Sequence, residues 1–431
     1  MNFLVIVSLI MIAALMYVLL SGKSNPAIPF VIIPIIAALI AGFSIKDVGG
    51  FAATGISSVG NVVVLFIFSI TYFGIMDDVG LFDNVVEKLK KFGGTSVVKI
   101  TISTALIAFI AHLDGAGAST FLIAIPAMLP VYKKFNMSPK TLLLIVGMGG
   151  GVMNFFPWGG PFIRAGVLLG IDPNIMWHDL IPTQIFGMIL VLCMAYILGK
   201  KEMRNGACIT DVTIEDKMEM NGQRDSLRRP KLIYFNWILT ILLLLALVKG
   251  VMSSHILFLI ATVIALLVNF PNPKDQTDRI KAHAPNATYM VITIIAAGIF
   301  LGIFRETKMV DELVIAVVNI MPAFLGPYLH IVLGIFAAPL GMILGPDPYV
   351  YGLTELIVGV TTAHGIDPVS VVKAMVMGEC SGWSISPVVS SLYLGLGLAG
   401  VELKDHIKNA FFWVWGITVL MLVFALFTGG I

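Results

Sequence analysis

The sequence predicts an all-α polytopic membrane protein: an inverted repeat with two re-entrant hairpins and two unwound transmembrane helices. Three observations carry this expectation. The 431 residues are 58% hydrophobic and only 12% charged, where a soluble domain carries about 25% charged residues. Apolar runs long enough for a membrane helix or half-helix recur along the whole length. Two segments of the first half reappear in the same order in the second. A transmembrane barrel would show short alternating segments instead, and the sequence has none.

Full-length spans fall at 3–20, 26–43, 61–76, 180–199, 233–250, 254–270, 286–304 and 407–429. The first lacks a basic leader and a small-residue cleavage site, so it reads as a retained helix rather than a signal peptide. Residues 200–232 are strongly polar and contain eight Lys/Arg, which places this linker in the cytoplasm by the positive-inside rule. It separates a first repeat, 1–199, from a second, 233–431. Within the first, scaffold helices occupy 1–92, and a hairpin with transport helices occupies 97–199. Within the second, the corresponding parts are 233–322 and 326–431. Cys193, Cys208 and Cys380 are scattered without a CxxC, so neither a disulfide frame nor a zinc site is expected. The net charge of +2 and the lack of a basic tract give no sign of nucleic-acid binding.

The duplication shows in two alignments. Residues 73–89, FGIMDDVGLFDNVVEKL, match 301–317, LGIFRETKMVDELVIAV, with Gly74 on Gly302, Ile75 on Ile303 and Asp83 on Asp311. Residues 135–151 match 364–380, with Pro139 on Pro368. Basic residues decide its sense. Lys88, Lys90 and Lys91 precede the run 97–111, and Lys133, Lys134 and Lys140 follow the run 119–132. A single crossing would leave one of these clusters outside. Each arm of about 15 residues also reaches only ~22 Å, short of the ~30 Å hydrocarbon core. A hairpin, 97–132, entering and leaving on the cytoplasmic side satisfies both constraints. The second hairpin, 326–363, has few basic residues on either flank and is placed on the outer side. An inverted repeat with broken helices is the architecture of secondary transporters.

Four segments interrupt the apolar pattern: 112–120, 149–164, 344–352 and 378–391. Non-helical backbone at membrane depth is tolerated only inside protein or beside a water-filled cavity. Two of the four are hairpin tips and two are unwound points in the following helices. Gly115, Gly117, Gly149 to Gly151, Gly159 and Gly160 permit close backbone approach or positive φ. Freed N–H groups attract anions and freed carbonyls attract cations. Ser119, Thr120, Ser384, Ser386, Ser390 and Ser391 add neutral hydrogen-bonding groups, although small residues also serve helix packing. Asp114, Asp347, Glu379 and Arg164 lie in these segments, where an ionised side chain costs about 2.5–3.5 kcal/mol. Arg164 is assigned to a substrate carboxylate, with simple neutralisation of an acid as the alternative. Asp114, Asp347 and Glu379 are the cation candidates, and the same acids with His112 are the proton-coupling candidates. His112 reads equally as a capping or packing residue. Three acids and one arginine repel a free polycarboxylate, so an anion travelling with a cation, or a protonated acid, is expected. Asp77, Asp78 and Asp83 are assigned to a solvated interfacial helix.

The chain resembles the citrate–metal–proton symporter family within the ion transporter superfamily. The resemblance covers nearly the full length and is strongest in LDGAGASTFLIAIPAMLP, GGGVMNFFPWGGPFIRAG, DPYVYG and SPVVSSLYLGLGLAGVEL. These are similar to the family's DGDG-type tip, NxxPWGGPxxR segment, SDAYYFG-type second tip and SPxxxSxYL ending. The resemblance implies import of citrate, or a related di- or tricarboxylate, complexed with a divalent cation of the Mg2+ or Ca2+ type and driven by protons. It implies an elevator-type homodimer in contact with lipid in a bacterial plasma membrane. It adds Asn154 and Tyr349 to the substrate-binding set with Gly115, Gly117, Ser119, Thr120, Gly159, Gly160, Arg164, Ser384, Ser386 and Ser390. No prosthetic group is expected. Two departures concern the metal: Ala116 stands where the family has a second tip aspartate, and GPDPY replaces the serine–aspartate tip while retaining Asp347 and Tyr349.

Other readings compete. Sodium-coupled uptake of a di- or tricarboxylate would use Asp114 and unwound carbonyls for sodium. An intramembrane aspartyl protease would need two aspartates sharing a proton, and the hairpins point elsewhere. A channel would not need a duplicated pair of re-entrant hairpins.

Overall fold

The computed structural model describes residues 3–21, 23–93, 96–207, 226–320, 322 and 324–431. Residues 208–225 of the polar linker, Cys208 among them, lie outside the described residues. The described part is helical, with no strand among those residues. This follows from the composition: in a hydrocarbon environment a helix satisfies its backbone within the segment.

In the first half, α1 (Phe3–Ser21), α2 (Ala27–Ile40) and α3 (Ile45–Asp78) precede the short helix α4 (Asp83–Gly93). Helices α5 (Val97–Ala111) and α6 (Gly117–Lys134) follow, then α7 (Pro139–Met153), α8 (Gly160–Leu169) and α9 (Pro173–Arg204). The second half opens with α10 (Ile233–Val248), α11 (Ser254–Asn269), α12 (Pro273–Glu306) and the short α13 (Met309–Ile320). Then come α14 (Leu329–Ile335), α15 (Ala337–Leu344), a π-helical segment (Pro348–Thr354) and α16 (Glu355–Thr362). The chain finishes with α17 (Pro368–Gly382), α18 (Ser390–Ala399) and α19 (Leu403–Thr428). Several elements of the two halves have the same length: α3 and α12 each have 34 residues, α7 and α17 each 15, and α8 and α18 each 10.

Among the described residues four helices are long and apolar enough to cross a membrane, rising to seven when each bent pair counts as one span. Helices α3 and α12 begin well before the expected spans. Helix α3 starts at Ile45 rather than 61, because Ser44 and Asp47 form a capping box that launches it. Its first turns are rich in Gly and Ser, which lowers hydropathy without ending a helix. Gly55 there lets α12 approach closely: a Cβ added to Gly55 would run into the Gly298 carbonyl oxygen. Helix α12 likewise starts at Pro273, capped by Asn272, and its polar first turns stay helical.

Helices α1 to α3 and α10 to α12 pack as one bundle, and α5 to α9 pack with α14 to α19 as another. Both hairpins fold back on themselves. In the first, Thr104 Oγ1 lies 3.2 Å from the Tyr132 hydroxyl near the base, and His112 meets Thr120 at the tip. In the second, Gly326 packs against His364, joining the two ends. Its first arm also bends by 71° between Ile335 and Ala337, a break the sequence reading did not anticipate. Gly115 and Gly345 have φ of +73° and +77°, so each tip turns on one left-handed glycine.

Candidate functional site

The four interrupted segments converge. Between α7 and α8 the chain leaves the helix at Asn154 and resumes at Gly160. Gly149 to Gly151 remain inside α7, contrary to the expectation of an unwound run. Their lack of side chains serves packing against Ala108, His112, Trp383 and Ser381. In the second half α17 runs to Gly382, a 3₁₀ turn covers Trp383–Ile385, and α18 resumes at Ser390. Glu379 therefore projects from the last turn of an intact helix rather than from unwound chain.

His112, Thr120 and Asn154 stitch the first tip to both breaks. His112 is fully buried. The Asn154 amide donates through Nδ2 to the Cys380 carbonyl at 3.1 Å, so its Oδ1 accepts from His112 Nε2 at 2.9 Å. The Thr120 hydroxyl lies 2.6 Å from His112 Nδ1 and 2.9 Å from the Ala116 carbonyl. It donates to Nδ1 when the ring is neutral, and turns to Ala116 while accepting from Nδ1–H when the ring is charged. The network is satisfied in either protonation state. The Trp383 ring stacks at 5.8 Å from the imidazole, and Trp158 Nε1 donates to the Leu113 carbonyl at 2.7 Å.

Asp114 is half-buried and held within its own tip. Its carboxylate accepts from the Ala116 N–H at 2.9 Å and from the Ser119 hydroxyl. Arg164, Asp347 and Glu379 form a separate cluster. Arg164 Nε donates to Asp347 Oδ1 at 2.8 Å, and its Nη1 lies 3.7 Å from Glu379 Oε1. The side chains are 11%, 15% and 4% exposed, so the cluster is nearly sealed. Glu379 Oε2 is buried with no hydrogen-bond partner among the described residues. Two carboxylates face one guanidinium, leaving a formal charge of −1. Among the described residues no three His, Cys, Asp or Glu side chains form a group that would hold a metal ion. Asp114 thus stands apart from the other two cation candidates.

The remaining predicted residues divide. Gly115 and Gly117 pack on Trp158 and Trp383, and Gly159 packs on the Asn154 carbonyl beside Gly160. A Cβ on Gly160 would lie 3.0 Å from Arg164 Nη1. Ser390 is exposed at the start of α18. Tyr349, Ser384 and Ser386 are buried, and their hydroxyls donate to the carbonyls of Met375, Ser381 and Met342 at 2.8–2.9 Å. In this state those three groups serve the fold. Sequence reasoning missed Glu355, a buried acid paired with Arg305. Its signal was present as one acid within the apolar run 349–362.

The family model for citrate transporters matches residues 4–378. The chain belongs to the citrate transporter family. It is 37% identical over 426 residues to the citrate transporter of Bacillus subtilis (strain 168), covering 99% of each chain. It is 36% identical over 434 residues to the Mg(2+)/citrate complex secondary transporter of the same organism, again covering 99% of each. This family membership makes the chain a multi-pass membrane transporter and not an enzyme. The fold is similar to that of the Alcanivorax borkumensis YdaH transporter, whose crystal structure is described as having an unusual topology. The TM-score is 0.62 at 13% identity, covering 90% of this chain and 89% of that one. That likeness bears on the fold alone.

Proposed function

We propose that this citrate-family secondary transporter imports citrate as a complex with a divalent cation, coupled to protons, by an elevator movement. The single observation that carries the cation is the charge at the site. Arg164 is shared by Asp347 and Glu379, and one buried oxygen of Glu379 has no partner. A free tricarboxylate meets net negative charge there, whereas a cation between its carboxylates and Glu379 removes the repulsion. Divalent cations favour such oxygen ligands, with substrate and water completing the shell. The relative described as a Mg(2+)/citrate complex transporter supports the same cargo. The helix N-termini at Gly117, Gly160 and Ser390 present N–H groups suited to the anion.

The elevator reading rests on the division into two bundles and the recurrence of element order in the two halves, read as inverted. The bundle α1–α3 with α10–α12 is the scaffold, and the bundle containing both hairpins carries the substrate. Helices α4 and α13 are the interfacial arms of a homodimer. Proton coupling rests on the His112 network, which accommodates either protonation state, and on acids that take a proton when the cation leaves. Sodium-coupled carboxylate uptake remains the second reading, favoured by the isolation of Asp114 from the other acids. Calorimetry with citrate alone and with Mg2+ or Ca2+ tests the cargo: equal affinity without any divalent ion refutes the complex. Uptake into proteoliposomes under separate proton and sodium gradients decides the coupling ion.

A further inference from the structure

Arg305, at the end of scaffold helix α12, reaches into the other bundle. Its Nε donates to Glu355 Oε1 at 2.8 Å, its Nη2 to Glu355 Oε2 at 2.8 Å, and Nη2 also donates to the Leu168 carbonyl at 2.6 Å. The side chain of Glu355 is only 5% exposed. A charge buried in the hairpin bundle thus takes its counter-charge from the scaffold. The partners sit at informative places. Glu355 immediately follows the π-helical segment that Asp347 immediately precedes. Leu168 lies one turn along α8 from Arg164, about 6 Å at ~1.5 Å per residue. Arg164 and Asp347 join these two elements at the site, and Arg305 clamps them farther along, at the end of α8 and just past the π-helical segment.

Most of the other cross-bundle contacts are of a kind that can slide or re-form. Phe30 packs on Tyr351, and Trp158 packs on Phe73 and Phe258. Asp172 accepts from Ser254 N and Oγ at 2.8 and 2.6 Å, but it also caps α9 through Asn174 N. That carboxylate keeps a partner when Ser254 leaves, whereas Glu355 pairs with no second cation among the described residues. A cleft of about 600 Å³ beside Arg305 and Glu355, lined also by Lys308 and Asp311, admits water to both when they part.

We propose that Arg305 is an interdomain latch, a positioning residue rather than a substrate ligand. It locks the second hairpin and α8 against the scaffold in this state only when their site ends are aligned, and it releases as the hairpin bundle moves. The inference rests on the elevator reading, and the test separates the two. In proteoliposomes, Arg305→Cys with Glu355→Cys, joined by a short bis-methanethiosulfonate linker, should lose Mg2+–citrate uptake and regain it with reductant. Arg305→Gln should raise the reaction rate of a cysteine at cleft position Thr362 with a charged thiol reagent by tenfold or more. Its Mg2+–citrate affinity should stay within about threefold of the parent. If the linked protein transports at the unlinked rate, the two elements do not separate, and both latch and elevator fail. If linking arrests transport but Arg305→Gln changes neither the reaction rate at 362 nor uptake, the bundles move and the latch alone is overturned. If Arg305→Gln fails to fold because Glu355 is left buried and uncompensated, the double variant Arg305→Gln/Glu355→Gln is read against the same two outcomes.

Discussion

Asp114 and Arg164 show how different two charged residues of one site can be. Asp114 is held by its own loop, through Ala116 N–H and Ser119, so Asp114→Asn keeps the shape and removes the charge. Cation-dependent citrate binding should weaken by at least tenfold, about 1.4 kcal/mol. Asp83→Asn, on an exposed carboxylate of α4 paired with Arg228, should bind normally. Normal binding by Asp114→Asn, measured by calorimetry with Mg2+, would show that Asp114 takes no part in holding the cation and leave it to the Glu379 side of the site. Arg164 spans two acids through different nitrogens, Nε and Nη1. Lysine offers one point charge in place of this planar fork. Arg164→Lys should therefore lose at least tenfold in affinity, and a variant indistinguishable from the parent would reduce Arg164 to a neutralising charge.

Elements in this chain end where a particular residue ends them. Gly115 and Gly365 both have positive φ, +73° and +83°, but a Cβ at 115 would come 2.9 Å from the Trp158 carbonyl oxygen, while none meets an atom within 4 Å at 365. Gly365→Ala should cost only backbone strain, about 1–2 kcal/mol, seen as a modest fall in melting temperature in detergent. Gly115→Ala should cost more and should also impair uptake, because it pushes the first tip off the break between α7 and α8. Equal melting temperatures for the two variants would show that the tip yields freely. The fold-back of the first hairpin was legible from basic residues on both its flanks, and both tips from their glycines, Gly115 and Gly345. The bend after Ile335 and the π-helical segment were not legible. Each depends on how α14 and α15 pack against α17, which local sequence does not encode.

At the scale of the whole molecule the topology is open to direct measurement. Cysteines at exposed positions 136 and 201 should react with an impermeant reagent from the cytoplasmic side, and one at 363 from the outer side. Reaction of 136 and 363 from the same side would exclude the inverted arrangement. Helices α4 and α13 precede the two hairpins at equivalent points, as expected for paired dimer arms. A mass of two chains, twice 46.5 kDa, is expected in mild detergent and in lipid nanodiscs. A single-chain mass in both would remove the homodimer.

Composition and periodicity determined by themselves that this chain is helical and membrane-type, because burying apolar runs in lipid leaves the backbone few alternatives. They also singled out Asp114, Arg164, Asp347 and Glu379, because a charge inside an apolar run is too costly to be incidental. Partnership was decided only by the tertiary structure. Arg164 meets Asp347 across 183 residues, Asn154 meets Cys380 across 226, and Arg305 meets Glu355 from the opposite bundle. Asp114, equal to the other acids in the sequence, is set apart by its own loop. The hydroxyls of Tyr349, Ser384 and Ser386, expected at the substrate, donate in this state to backbone carbonyls that only the packed fold brings to them. Residue type fixes what a side chain is able to bind, but which partner it meets depends on distances that exist only after the two bundles have closed on each other.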